Sequence, residues 1–168
     1  MNGEVDYIEL GIADDAEPIS GAVLVNNGTQ VYAGYTHNGD GTFSAPPPAP
    51  ITKNQVNIER DRRINLPVTV TVSAGEAEQK IFKIDMANGG RQNISDMALM
   101  AVVKNGAGLT DPFIFRDADN IDQTLSNNEV IEMGMQAAAA YDAIFKKSWA
   151  LKALDPIPTN YADDSHWI

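Results

Sequence analysis

The chain has 168 residues, no cysteine, 12 Lys and Arg against 23 Asp and Glu, and a formal net charge of -11. The missing cysteines exclude disulfides, thiol nucleophiles and cysteine-based zinc sites. So acidic a surface repels a phosphate backbone, which argues against a nucleic-acid partner.

An apolar fraction of 43% is that of a folded protein, and no run approaches the roughly 20 apolar residues of a membrane span. The opening MNGEVDYIEL has neither the basic nor the long apolar region of a signal peptide, so synthesis in the cytoplasm is expected. Residues 1–45 read as a small β module. Tyr7–Leu10 and Ala22–Val25 are short apolar runs, and Asn26-Asn27-Gly28 is a tight-turn signal. Gln30–Tyr35 alternates as a half-buried strand does, Asn38–Gly41 turns, and Thr42–Ser44 returns. Four prolines among residues 46–51 favour an extended, solvated linker.

Residues 52–168 read as a second domain. Thr52 caps a polar helix that Pro67 stops. Val68–Ser73 and Lys80–Asp85 alternate with period two around Gly75–Glu78, which predicts a β-hairpin. Asn93 or Ser95 is the expected cap of the next helix. Its apolar face is Ile94, Met97, Ala98, Ala101 and Val102, and Gly106 and Gly108 end it. Asp111–Arg116 reads as a short strand and Asp117–Asn120 as a turn. Ser126, with Glu129 three residues on, makes a capping box for the longest helix, through about Lys152. Two apolar stripes on that helix predict burial on several sides. Asp155-Pro156 breaks it, and the acidic end 162–168 reads as a trailing tail. The expected fold class is α+β: a small N-terminal β module, a proline-rich linker, and a C-terminal domain of a β-hairpin plus about three helices.

Residue types suited to chemistry are sparse. His37 and His166 have no metal-binding spacing. Asp117, Asp119 and Asp122 begin like a calcium loop but lack its glycine and its distal glutamate, so an acidic turn is the reading. No serine lies in a Gly-x-Ser-x-Gly elbow and no Walker sequence occurs. No catalytic, cofactor-binding or metal residue is assigned, and no cofactor is implied. Tyr32, Tyr35, Phe43, Trp149 and Trp167 are the candidate interface residues, as aromatics suited to contacts.

Two stretches carry a resemblance. Tyr35–Pro48, YTHNGDGTFSAPPP, resembles a segment of tail-fibre and fibre-assembly proteins of tailed bacteriophages. The stretch from about Asn54 to Ile168 resembles the DUF4376 domain of phage tail proteins, through NIERDRRIN (57–65), QNISDMALMAV (92–102), FRDADN (115–120), ALKALDPIP (150–158) and YADDSHW (161–167). After Pro67 the chain departs from relatives, which have a shorter glycine-aromatic hairpin. The resemblance implies a non-enzymatic structural component of a phage tail, at its tip, baseplate or fibre attachment, resident in the virion. The implied partners are other tail proteins, copies of itself (a trimer if fibre symmetry holds) and a host surface receptor. A fibre assembly chaperone is the alternative, and a glycan-binding or glycan-degrading protein the third reading.

Overall fold

The structure, a computed structural model, describes residues 3–4, 31–32, 34–40, 42–75 and 78–168. It divides the chain into two units, Met1–Ala49 and Pro50–Ile168. Together they are mixed α/β, with three α-helices and small antiparallel sheets among the described residues.

In the first unit, β1 (Gly3–Glu4), β2 (Thr36–His37) and β3 (Phe43–Ser44) pair antiparallel in that order. The β2–β3 turn is held by short polar side chains. Asp40 accepts from the hydroxyl of Thr42 at 2.6 Å and from its backbone N–H at 2.9 Å. These bonds keep its carboxyl below the usual value. Asn38 donates its backbone N–H to Thr42 O at 3.0 Å, closing the hairpin. Of the strand expected over 30–35, Gln30 and Ala33 lie outside the described residues, and its end is corrected: Tyr35 N–H bonds Tyr32 O at 3.1 Å and Gly34 has φ +91°, so β2 begins at Thr36. The strands expected at 7–10 and 22–25 and the turn at 26–28 lie outside the described residues.

In the second unit, two capping boxes start two of the helices. Thr52 and Gln55 cap α1 (Lys53–Arg63), and Ser126 and Glu129 cap α3 (Asn127–Lys152). Between them, β4 (Val68–Val72) and β5 (Lys80–Ile84) form the expected hairpin, in register Val70↔Phe82. Val70, Val72, Phe82 and Ile84 face inward, whereas Thr69, Thr71, Ile81 and Lys83 face water.

Helix α2 (Gly90–Gly106) starts earlier than expected. Its cap is Gly89, not Asn93 or Ser95, which are exposed helical residues. Backbone geometry explains the early start. Asp85 accepts from Ala87 N–H at 2.9 Å, and the chain then doubles back so closely that a Cβ on Gly90 would sit 2.1 Å from Asp85 O. The helix closes on bonds from Gly108 N–H to Asn105 O and from Leu109 N–H to Lys104 O, a Schellman closure.

After β6 (Phe113–Arg116) the chain makes a strand that the sequence reading lacks, β7 (Asp122–Leu125). The intervening turn is organised by Asp117. Its Oδ1 accepts from Ile121 N–H at 2.9 Å and Asp119 N–H at 3.0 Å, and its Oδ2 accepts from Gln123 at 2.8 Å. The Ile121 amide, then Gln123 and the Asp119 amide, hold this carboxyl low. This is a self-satisfied turn. Ala118 N–H donates to Lys83 O at 2.9 Å, joining the two hairpins.

The main core lies where the hairpins meet α2 and α3, with Ile84, Ile94, Leu125, Val130 and Met133 fully enclosed. Side chains of α3 also cover the edge of β4. Gln136 brackets Thr71, accepting from its N–H at 3.0 Å and donating to its carbonyl at 2.6 Å. Glu132 accepts from Ser73 and Ala74 N–H at 2.8 and 3.1 Å. An edge strand otherwise open to pairing is thereby satisfied within the chain. A second core, Val56, Leu151, Ile157 and Trp167, joins α1, the end of α3 and the C-terminal segment.

Candidate interaction surface

The second core corrects the expectation of a trailing tail. Arg63, the last residue of α1, is buried. It donates Nε to Glu59 at 2.6 Å, and Nη2 to Ala162 O and Asp164 Oδ1, each at 2.8 Å. Glu59 also receives a two-pronged grip from Arg62, at 2.8 and 2.7 Å. The hydrogen bond from Arg62, then that from Arg63, hold the Glu59 carboxyl below its usual range against the opposing effect of burial. Trp167 is buried, its Nε1–H donates to Tyr161 O at 2.7 Å, and the Arg63 guanidinium lies 5.2 Å from its ring centre. The end of the chain is therefore clamped. The clamp joins residues 101 apart in sequence, a pairing that no local pattern announces.

Along α3, Tyr141, Phe145 and Trp149 recur every fourth residue and stack. Tyr141 and Phe145 centroids are 4.7 Å apart, and Phe145 meets Trp149 edge-on at 6.2 Å. Two arginines from the neighbouring helices cover this ladder. Arg91 of α2 sits 4.4 Å from the Tyr141 ring and Arg60 of α1 sits 4.8 Å from Phe145. Arg60 is fixed in turn by Asp61 at 2.6 Å and Asn57 at 3.1 Å. Among the described residues no cation covers Trp149, which is 56% exposed. A rigid indole presented on a braced helix suits an anchor in a contact.

The candidate aromatics thus occupy different settings. Trp149 is exposed and Trp167 is inside. In the first unit Tyr32 is 60% exposed, with Tyr35 5.8 Å from it, and Phe43 is half-buried against His37 at 5.2 Å. The exposed apolar side chains of α2 were missed by sequence reasoning, which placed Val102 on the buried face. Leu99, Met100, Val102 and Val103 are each more than half exposed. The second stripe of α3 is likewise not buried throughout, since Met135 and Trp149 face solvent.

Among the described residues, no group of three or more His, Asp or Glu is placed to hold a metal ion, and no helix is long and apolar enough to cross a membrane. A family model described as a domain of unknown function, DUF4376, matches residues 49–165. The chain belongs to the DUF4376 family. The match takes in all three helices, both hairpins of the second unit and the clamped segment through Ser165. No curated protein and no solved structure matches the chain.

Proposed function

We propose that this DUF4376 protein is a structural component of a bacteriophage tail, at the tip, the baseplate or the fibre attachment. It works there by contact with other tail proteins and with copies of itself, not by catalysis. The setting is supported by the resemblance of Tyr35–Pro48 to tail-fibre segments. The observation that carries the mode of action is the run of exposed apolar side chains on α2, Leu99, Met100, Val102 and Val103, with Met135 and Trp149 exposed separately on α3, each more than half exposed. Scattered single apolar residues are ordinary, but four within five residues of one helix are a contact surface. Trp149 is the anchor of this reading, because its edge-on packing against Phe145 lowers the cost of ordering it on binding.

The test is genetic complementation. Particles lacking the chain are supplied with wild type or with the Trp149→Asp variant. The variant keeps the fold, because the side chain it replaces is exposed, and it enters particles at less than a tenth of the wild-type amount. Equal incorporation of both forms removes Trp149 from the contact. Absence of both from finished particles removes the tail component itself and favours an assembly chaperone.

A further inference from the structure

The outer face of α2 is apolar, and the charges that bound it are complementary to themselves. Ile94 and Ala101 are buried and Ala98 abuts Gly134 of α3, so that side of the helix faces the core. With about 3.6 residues per turn, Leu99 and Val103 fall on the opposite side, flanked by Met100 and Val102. All four are more than half exposed.

Asp96 and Lys104 bound seven uncharged residues, Met97 to Val103, and Met100 is their midpoint. Neither charge has an ion partner among the described residues. Asp96 accepts from Gln92 of its own helix at 2.8 Å. Lys104 donates to Asp111 O and lies 4.5 Å from the centre of the Phe113 ring. An ammonium has three N–H donors, so Lys104 keeps donors for a carboxylate. The stretch from Asp96 to Lys104 carries no net charge, although the chain carries -11.

We infer that a second copy of the chain packs its own α2 antiparallel on this face, across a twofold axis beside Met100, with Asp96 of each copy paired to Lys104 of the other. Leu99, Met100 and Val103 of the two copies interleave at the axis. A parallel pairing would set Asp96 beside Asp96 and Lys104 beside Lys104, so charge selects the antiparallel one. The neutral stretch also lets two strongly acidic chains meet where their repulsion is least. Four half-exposed side chains from each copy, with their polar rim, bury on the order of 1,000 Å², the low end for a specific interface. The dimer is therefore weak in solution, with a Kd on the order of 0.1 mM, and it fills when assembly raises the local concentration. This pairing rests on α2 being a contact surface, as proposed above, and not on the tail setting.

The test is sedimentation equilibrium of the full-length chain from about 10 μM to about 1 mM, a range that brackets the expected Kd. Wild type fits a monomer–dimer equilibrium. Leu99→Glu stays monomeric, while its circular dichroism and urea unfolding match wild type, because Leu99 is exposed and Glu is a comparable helix former. Asp96→Lys and Lys104→Glu each weaken the dimer roughly tenfold, since each sets like charges against each other twice per dimer. An equal mixture of those two variants associates within about threefold of wild type, because both cross-pairs are again opposite in sign. Trp149→Asp, altered on α3, dimerises as wild type does. A wild-type chain that stays monomeric throughout, or that forms trimers, overturns the inference. So does a Leu99→Glu chain that dimerises like wild type, a mixture no tighter than its components, or equal loss of the dimer in Trp149→Asp. Incorporation into particles is read separately, so loss of this pairing leaves the tail reading to its own test.

Discussion

Replacing Gly134 by Ala sets helix propensity against packing, and the geometry decides the sign. In a helix interior Ala is favoured over Gly by about 1 kcal/mol, so propensity alone makes this variant more stable. A Cβ built on Gly134, however, lies 2.6 Å from the Cβ of Ala98, far inside the roughly 3.5–4.0 Å at which carbons rest. Both atoms are fixed to backbone, so no side-chain rotation relieves the clash and α2 must move off α3. Overpacking of this kind costs about 2–3 kcal/mol. The expected net effect of Gly134→Ala is a loss of about 1–2 kcal/mol in urea unfolding followed by circular dichroism, at unchanged m-value. Ala98→Gly alone costs about 1 kcal/mol in propensity. In the double variant the clash is gone and the propensity terms cancel, so stability returns close to wild type, a coupling of about 2–3 kcal/mol. A Gly134→Ala protein more stable than wild type, or a coupling near zero, would refute the close α2–α3 approach on which the main core depends.

Three further outcomes follow from particular contacts. Arg63→Met removes the bonds to Glu59, Ala162 and Asp164 while Arg62 still holds Glu59. It is expected to cost about 2–3 kcal/mol and to shift Trp167 emission to the red in a Trp149→Phe background, where Trp167 is the sole tryptophan; unshifted emission contradicts the clamp. Ser126→Ala removes the cap of α3 and lowers stability by about 1 kcal/mol, read as a drop in thermal midpoint. Burial raises the Glu129 carboxyl, but Lys80 and Ser126 together bring it below its usual value, as the arginines do for Glu59. Carboxyls depressed by folding contribute stability that is full above the unfolded value of about 4.3 and is lost as pH falls through the lower folded value. Stability is therefore level from neutral pH to about 5 and declines below about 4.3, and Glu129→Gln makes that acid limb shallower; an unchanged acid limb counts against the Lys80–Glu129 pair.

What was legible in the sequence was local. Thr52 marked the start of α1, and Ser126 with Glu129 marked that of α3, because a cap and its partner lie within one turn. The β4–β5 hairpin was legible because Val70, Val72, Phe82 and Ile84 alternate with polar residues. The start of α2 was not, since Gly89 caps it through backbone conformation and offers no capping side chain. Strand β7 was hidden by its polar run, Asp122-Gln123-Thr124, whose pairing depends on the Asp117 turn. The aromatic ladder is written at every fourth position of α3, but the arginines that cover it come from α1 and α2. The Arg63 clamp is long-range in the same way, which is why the C-terminal segment read as a tail. Exposure was the least legible property, because an apolar stripe made for a partner has the same spacing as one made for a core.

The most direct test of the proposed role is quantitative mass spectrometry of purified mature particles of the kind in which that role places the chain. A structural tail component is present at a fixed copy number relative to the other tail proteins, unchanged by further purification. A chain found in infected cells but lost from the particles as they are purified would contradict it.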